Sequence, residues 1–178
     1  FKKIIIKLVK IIFAVYVEVF RDTPMIVQAM VIYYGIRLAG GSISPIPAGI
    51  LVTFLNTGAY MAEIIRGGIE AVDKGQMEAA RSLGLPYGKA MGKIILTQAF
   101  RTMMPSIINQ FIISMKDTSL ISIIGIRELT QNGKIIAANS ASLVMAIWVA
   151  VALYYLVICT ILSRIAVIVE RKVSYGKQ

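Results

Sequence analysis

The glycines and lysines of residues 84–93 come closer than other residues of this sequence to a phosphate-binding motif. Gly84, Gly88 and Gly92 are spaced four residues apart, and Lys89 and Lys93 each follow a glycine. A P-loop places Lys and then Ser or Thr after a Gly-x-x-x-x-Gly spacing, and its backbone N–H groups surround the phosphates. Here the spacing is one residue too short, and the Ser or Thr is missing. The sequence therefore predicts close helix packing at Gly88 and Gly92, and no ATP site or other cofactor in this chain.

Histidine and cysteine chemistry have little support in this sequence. There is no histidine, which removes the commonest acid–base residue and the commonest metal ligand, so no metal site is predicted. The single cysteine, Cys159, lies in an apolar run and excludes an intrachain disulfide. We expect its thiol to be inert packing.

A pair of opposite charges lies three residues apart near the end of an apolar run. Glu63 and Arg66 have the spacing at which side chains meet on one face of a helix. An ion pair that anchors the helix at the membrane interface is favoured over a substrate site. We therefore assign these two residues a structural role.

The composition indicates that these groups belong to a membrane protein. The 178 residues are 57% hydrophobic and 16% charged, with a mean hydropathy of +0.76, whereas soluble domains have about 45–50% apolar and about 25% charged residues. The net charge of +10 is typical of a nucleic-acid-binding face. Here, however, the basic residues lie in gaps between apolar runs. We predict an all-α membrane protein that contacts lipid and no nucleic acid.

Four apolar segments are predicted to span the membrane. Three are about 20 residues long, which matches the thickness of the hydrocarbon core: residues 46–65, 94–115 and 141–163. The fourth is broken by the sequence Arg-Asp-Thr-Pro at residues 21–24. Thr23 is a favourable N-cap and Pro24 suits a first helical turn, so a span is predicted over residues 24–38. Residues 1–20 are predicted to be an amphipathic segment at the membrane surface.

The distribution of Lys and Arg predicts the orientation. Fifteen of them fall in residues 1–21, in the connection 66–101 and at the C-terminus, and four fall in the opposite connections. Positive charge accumulates on the cytoplasmic side of membrane proteins. The connection 66–101 and the C-terminus are therefore predicted to be cytoplasmic.

The cytoplasmic connection is predicted to fold as two short helices. Asp73 can cap a helix over residues 76–83, Gly84 can end it in a left-handed turn, and Pro86 can begin the next helix. Ala79 and Ala80 would give this helix a small-residue surface suited to a groove on another protein.

This connection resembles the EAA loop of binding-protein-dependent ABC importer permeases, which have the type I, methionine-importer-like transmembrane fold. The family pattern is Glu-Ala-Ala, three residues, Gly, nine residues, and then Ile-x-Leu-Pro; it is matched by Glu78, Ala79, Ala80, Gly84, Ile94 and Leu96. Thr97 stands at the position of the proline. Residues 21–28, 58–64, 66–68 and 116–120 resemble the polar amino-acid branch of the family, with Asp22 in place of its usual glycine.

The resemblance implies a permease subunit of an ATP-driven amino-acid importer in the prokaryotic inner membrane. Residues 21–178 would form its transmembrane domain, with a coupling loop at about residues 70–96, and a first span of five would be missing from this chain. The resemblance also implies ATP-binding cassette ATPase subunits that hold ATP and Mg²⁺, a second permease copy or a sister permease, and an extracytoplasmic amino-acid-binding protein. The residues expected to couple to the ATPase are Gly75, Gln76, Glu78, Ala79, Ala80, Leu83 and Gly84.

The segment Lys116-Asp117-Thr118-Ser119 is a candidate for the substrate pathway. A zwitterionic amino acid needs a cation for its carboxylate and an anion for its ammonium group, and Lys116 and Asp117 offer both. The local alternative places Lys116 at the outer interface and lets Asp117 cap the next turn.

Two other classes of membrane protein are considered. A secondary transporter driven by an ion gradient should contain paired halves with broken helices or carboxylates at mid-membrane. This chain has no internal repeat, and its acids lie near the ends of the predicted spans. An intramembrane enzyme is disfavoured because no Ser or Asp pair lies deep within two spans.

Overall fold

The computed structural model describes the backbone of residues 2–174 and the side chains of residues 3–168. The described part is helical and contains no strand, which confirms the predicted all-α fold. Lys177, counted above among the C-terminal charges, lies outside the described residues. The α-helices are α1 Lys2–Asp22, α2 Met25–Leu38, α3 Pro45–Glu70, α4 Lys74–Ser82, α5 Tyr87–Ala90, α6 Leu96–Asp117, α7 Leu129–Ala138 and α8 Val144–Ser174. A π-helix, Met91–Ile95, joins α5 to α6, and 3₁₀ turns Leu120–Ile124 and Ala141–Leu143 precede α7 and α8.

Three described helical segments are long and apolar enough to cross a membrane. They are Pro45–Glu70, Tyr87–Ile124 and Ala141–Ile168, and each contains one of the three long spans predicted from sequence. The fourth prediction corresponds to α2, which is apolar but has only 14 residues. At about 1.5 Å per residue, α2 is about 21 Å long, shorter than the roughly 30 Å of a bilayer core.

The break between α1 and α2 lies where it was predicted, but the predicted cap is wrong. Pro24 is the N-cap of α2, and its carbonyl accepts the backbone N–H groups of Val27 and Gln28 at 3.0 and 3.1 Å. The Thr23 hydroxyl instead donates to the carbonyl of Val19 in the last turn of α1, at 2.6 Å. Thr23 therefore closes the helix before the break and does not cap the helix after it.

Helix α3 is the centre of the bundle. It packs against α1, α2 and α6, while α6 also packs against α8, and α7 packs against α8. The contact between α3 and α6 is close, because a Cβ added at Gly68 would lie 2.8 Å from the Cβ of Met103. A small apolar core joins three parts of the bundle: Met25, Ala29 and Tyr33 of α2, Ala48 and Val52 of α3, and Ile121 and Ile124 of the 3₁₀ turn.

Large apolar side chains cover most of the outer surface. In the most apolar 18-residue stretch of Ala141–Ile168 only 6% is buried within the chain, compared with 28% in that of Pro45–Glu70. Because contiguous apolar surface of this kind is unstable in water, α8 is the helix most suited to contact lipid or another apolar chain.

Helix α1 is continuous through residue 22, and its last turns pack into the bundle. The Tyr16 hydroxyl donates to the carbonyl of Leu55, half-way along α3, at 2.7 Å. The first part of α1 is exposed. The location of residues 1–20 at the membrane surface stays a prediction, although the end of this segment reaches the middle of α3.

Candidate functional site

The connection between α3 and α6 contains a short, capped helix, as the sequence predicts. A carboxylate oxygen of Asp73 accepts the backbone N–H of Gly75 at 2.7 Å, which fixes the start of α4. After α4, Gly84 adopts a left-handed conformation with φ of +83°, and the N–H of Leu85 donates to the carbonyl of Ala80 at 3.1 Å. This pattern is a Schellman-type C-cap, for which glycine has the lowest conformational cost. Helix α5 begins directly after Pro86.

One face of this connection is exposed and the other is packed. Ala80 and Ala90 are buried, at 2% and 0% exposure, and hold α4 against α5 and the π-helix. The remaining predicted coupling residues are exposed, and Leu83 is 83% exposed: they are Gly75, Gln76, Glu78, Ala79, Leu83 and Gly84. The exposed residues between 75 and 84 form a small, partly apolar protrusion, which we call the knob. The buried Ala80 and Ala90 form its base.

The knob is joined directly to the long helix α6. The Gln98 side-chain amide in α6 donates to the Gln76 side-chain oxygen in α4, at 3.1 Å. The π-helix Met91–Ile95 precedes α6, and the Thr97 hydroxyl donates to the carbonyl of Lys93 at 3.0 Å. π-Helices are one source of bends in a helix. The π-helix thus ends two residues before Thr97, which stands at the proline position of the family pattern.

A cavity of about 610 Å³ lies among α1, α2, α3 and α6. We refer to it as the polar cavity. Its size is within the range of sites for small organic ligands. Asn56 and Tyr60 of α3 place it near the middle of that helix. The lining residues are Arg21, Asp22, Thr23, Pro24, Met25, Asn56, Tyr60, Gln110, Ile113, Asp117 and Leu120.

Two buried amides fix the wall where α1 ends. The Gln28 side-chain amide donates to the carbonyl of Phe20 at 3.0 Å and to the carbonyl and the hydroxyl of Thr23, each at 2.9 Å. The Asn56 amide donates to the Gln28 side-chain oxygen at 3.0 Å and to the carbonyl of Phe20 at 3.3 Å. Gln28 and Asn56 are 7% and 5% exposed. The network supplies partners for backbone carbonyls that the break leaves free, which is required away from water.

A cluster of ion pairs adjoins the polar cavity. The Glu63 carboxylate binds the Arg66 guanidinium through both of its oxygens, which confirms the predicted helical pair. Arg66 also binds Glu70, one turn further along α3. The guanidinium of Arg21 lies 3.7 Å from a Glu63 oxygen and 5.8 Å from the centre of the Tyr60 ring. Arg21, which lines the cavity, is thus in contact with the ion pair of Glu63 and Arg66.

The predicted substrate segment is divided between different surroundings. Asp117 lines the polar cavity, whereas Lys116 is exposed and does not line it. Thr118 lines a neighbouring apolar cavity of about 650 Å³ between α3 and α6. Ser119 begins the 3₁₀ turn through its carbonyl, which accepts the N–H of Ser122 at 3.3 Å. Arg21 is the cation that lines the same cavity as Asp117, and it was not predicted.

Hydroxyl and amide groups connect α3 and α6 between the two cavities. The Thr57 and Ser114 hydroxyls are 2.9 Å apart, and the Gln110 amide donates to Ser114 at 3.3 Å. Gln110 is 6% exposed. Because Thr57 is at the mid-point of α3 and Ser114 is one turn before Asp117, Asp117 lies near the middle of the α3 span.

Four residues of the cavity were not predicted to belong to a site: Arg21, Asn56, Tyr60 and Gln110. The available signal was an amide inside an apolar run, at Asn56 and at Gln110, since such residues are expensive in a membrane and mark a pathway or a contact. Arg21 adjoins the helix break that was predicted. Within the described residues, no group of three Asp, Glu or Cys side chains is placed to hold a metal ion.

The sequence and the fold match known proteins over nearly the whole chain. Residues 6–175 match the family described as binding-protein-dependent transport system inner membrane component. The glutamine transport system permease protein of Escherichia coli (strain K12) is 44% identical over 163 residues, which cover 90% of this chain and 74% of that protein.

Two further similarities concern other amino acids. The arginine transport system permease protein of Bacillus subtilis (strain 168) is 39% identical over 160 residues, covering 89% of this chain and 73% of that protein. A crystal structure of an amino acid ABC transporter with histidines superposes with a TM-score of 0.89 at 38% identity, covering 94% of this chain and 78% of that chain.

Proposed function

Because this chain belongs to the family of binding-protein-dependent transport system inner membrane components, we propose that it is the permease subunit of an ATP-driven importer of polar amino acids. The match of residues 6–175 to that family carries the proposal. It favours the ATP-driven importer over the secondary transporter. With three described segments long enough to cross a bilayer, the chain is a multi-pass membrane protein.

The exposed knob of α4 is proposed to be the coupling element. ATP and Mg²⁺ would bind to separate ATPase subunits, and this chain would have no catalytic role. Closure of the ATPase pair would push on Leu83, Ala79 and Glu78, which are exposed. The buried base formed by Ala80 and Ala90, together with the bond between Gln76 and Gln98, would transmit the push to α6. Residues 70–96 and the C-terminus would lie in the cytoplasm.

The polar cavity is proposed to be the part of the pathway that contacts the substrate. Arg21 offers a guanidinium for the α-carboxylate of an amino acid, and Asp117 offers a carboxylate for its ammonium group. Asn56, Gln110 and Tyr60 add uncharged hydrogen-bonding groups that tolerate several side chains. This assignment replaces Lys116 with Arg21 as the cation, because Lys116 is not in the cavity wall.

The substrate is proposed as a class and not as one amino acid. The two relatives are named for glutamine and for arginine at 44% and 39% identity, and the similar structure is described with histidines. A zwitterionic backbone is common to all three. The complex would also need a second permease copy or a sister permease, and an extracytoplasmic binding protein that delivers the amino acid.

Reconstitution of the complete transporter tests this function. The full-length permease, its ATPase subunits and its binding protein are placed in liposomes, and uptake of labelled L-glutamine, L-arginine and L-histidine is measured with internal or external ATP. We expect uptake that requires ATP on the ATPase side and ceases in the Glu78→Lys variant while ATP hydrolysis continues. Uptake driven by an ion gradient without ATP, or wild-type uptake by Glu78→Lys, would refute the coupling mechanism.

A further inference from the structure

Arg21 is the cation of the polar cavity, and its guanidinium already has a partner on the opposite side. Its side chain is 38% exposed and lines the cavity that also contains Asp117. Behind it, Glu63 lies 3.7 Å away, and the ring of Tyr60 lies 5.8 Å from the guanidinium carbon. The Tyr60 hydroxyl also donates to the Arg21 carbonyl at 3.4 Å. The guanidinium is therefore between an internal carboxylate and the space where a substrate carboxylate would lie.

The contacts of Glu63 are unequal. Arg66 binds both oxygens of Glu63, with an Nε–Oε2 distance of 3.0 Å. Arg21 is 3.7 Å from one of these oxygens, beyond the normal length of a charge-assisted hydrogen bond. Glu63 is thus fixed by Arg66, and its hold on Arg21 is electrostatic and loose. A substrate carboxylate that forms a short bidentate pair with Arg21 would make a stronger contact than Glu63 does.

We propose that Glu63 is a positioning residue for Arg21. In the empty cavity Glu63 is the counter-ion of Arg21, and the carboxylate of the amino acid displaces Glu63 from Arg21. This inference rests on the proposed function. In the empty cavity Glu63 partly neutralises Arg21 and holds its guanidinium beside the cavity. When an amino acid binds, Arg21 exchanges Glu63 for the substrate carboxylate. When the amino acid leaves, Arg21 pairs with Glu63 again. Glu63 therefore lowers the affinity of the cavity for the amino acid and favours its release.

Glu70 provides a matched control for Glu63. Both carboxylates lie on α3 and both bind Arg66, so that removal of either leaves Arg66 with one carboxylate. Glu63 also contacts Arg21, whereas Glu70 does not line the polar cavity. The Glu63→Gln and Glu70→Gln variants therefore remove the same charge and differ in the contact with Arg21.

The test measures binding to the complete permease and ATPase complex in nanodiscs without the binding protein. The probes are L-glutamine and L-arginine, together with L-glutaminamide and L-argininamide, which lack the carboxylate. For the two amino acids we expect Glu63→Gln to lower Kd by about threefold to fivefold, the range expected for loss of one partly exposed ion pair. The maximum rate of uptake by the reconstituted transporter should fall. Glu70→Gln should leave Kd unchanged, and Kd for the amides should not respond to Glu63→Gln.

A second variant, Glu63→Asp, tests the same proposal if the Glu63→Gln permease does not assemble. Glu63→Asp keeps the negative charge and shortens the side chain by one methylene, which lengthens the already loose 3.7 Å contact with Arg21. We expect it to lower Kd for the amino acids by about twofold, in the same direction as Glu63→Gln. An unchanged or higher Kd in both variants, or an equal shift for the amides, overturns the role of Glu63. If the wild-type complex neither binds nor imports these amino acids, the proposed function itself fails, which is a separate result.

Discussion

The knob, which is proposed to be the coupling element, and the polar cavity are built in opposite ways. In the knob, the contacts that fix the two ends of α4 join residues close in sequence, such as Asp73 with Gly75 and Leu85 with Ala80, and most of its side chains are exposed. In the amide network beside the cavity, Phe20, Gln28 and Asn56 are separated by up to 36 residues, and the two amides are buried. The knob is a local structure held by backbone geometry, whereas the cavity exists only when α1, α2, α3 and α6 have assembled.

This difference separates the two kinds of damage that a substitution can cause. A change in the knob should impair its contact with another protein and leave the fold intact, because few of its side chains support other helices. A change in the amide network should reduce stability first, since a buried polar group without its partner costs free energy. The following variants test this separation, in order of decreasing consequence.

The largest effect is expected for Gly84→Trp in the knob. A Cβ at this position would have no heavy atom within 4 Å, so the bulky side chain would project from the surface. If the ATPase docks on α4 as proposed, the indole would clash with it. We expect the affinity of the permease for its ATPase subunits to fall at least tenfold, in line with the loss of a central interface contact. The measurement is retention of the ATPase on immobilised permease.

Gly40→Trp is the control for backbone strain. Gly40 follows α2 and has φ of +82°, against +83° for Gly84, and it also has open space around it. Both substitutions therefore impose the same left-handed conformation on a residue with a side chain, at about 1–2 kcal/mol. Retention of the ATPase should be normal in Gly40→Trp. If both variants lose the ATPase equally, strain and not docking explains the effect.

A smaller effect, on stability, is expected for Asn56→Ala. The variant removes the donor to the Gln28 side-chain oxygen and one donor to the Phe20 carbonyl. We expect a loss of about 1 kcal/mol, because hydrogen bonds between helices in membranes contribute about 0.6 kcal/mol on average and up to about 1.7. The thermal midpoint of the solubilised complex should fall by about 2–4 °C.

Asn139→Ala is the local counterpart of Asn56→Ala. The Asn139 amide donates to the carbonyl of Ile135, four residues earlier, at 2.8 Å, and the side chain is exposed. Its removal should cost less than about 0.5 kcal/mol, as for other exposed positions. An equal loss in the two variants would contradict the claim that the long-range, buried amide is the one that holds the cavity.

The same difference explains what could be predicted from the sequence. The ends of α4 followed from Asp73, Gly84 and Pro86, because capping depends on residues within a few positions of the helix end. The spacing of Glu63 and Arg66 likewise predicted their ion pair. The three long spans could be recognised because hydropathy is a sum over neighbouring residues.

The cavity could not be predicted by these rules. Nothing in the spacing of Arg21, Asn56 and Asp117 indicates that α1, α3 and α6 bring them to one cavity. Lys116 was chosen as the cation because it adjoins Asp117 in the chain, but successive residues on a helix point in directions about 100° apart. Thr23 was expected to cap α2. Its hydroxyl instead donates to the carbonyl of Val19 and accepts a hydrogen bond from the Gln28 side-chain amide. The first outcome depends on side-chain direction along α6, and the second depends on contacts of Thr23 with residues four and five positions away.

The smallest effect is expected where the knob meets α6, at the side-chain bond between Gln98 and Gln76. The two amides are exposed and their bond is 3.1 Å long, so water can replace either partner and the net contribution should be below about 0.5 kcal/mol. Gln98→Ala should therefore leave the thermal midpoint within about 1 °C, whereas transport should show the coupling, with uptake per ATP hydrolysed reduced by about twofold. Gln76→Ala should have the same effect, and the double variant should be no worse than either single variant, since both substitutions remove one bond. Additive losses in the double variant would show that the glutamines act separately, and that the push on the knob reaches α6 through its buried base alone.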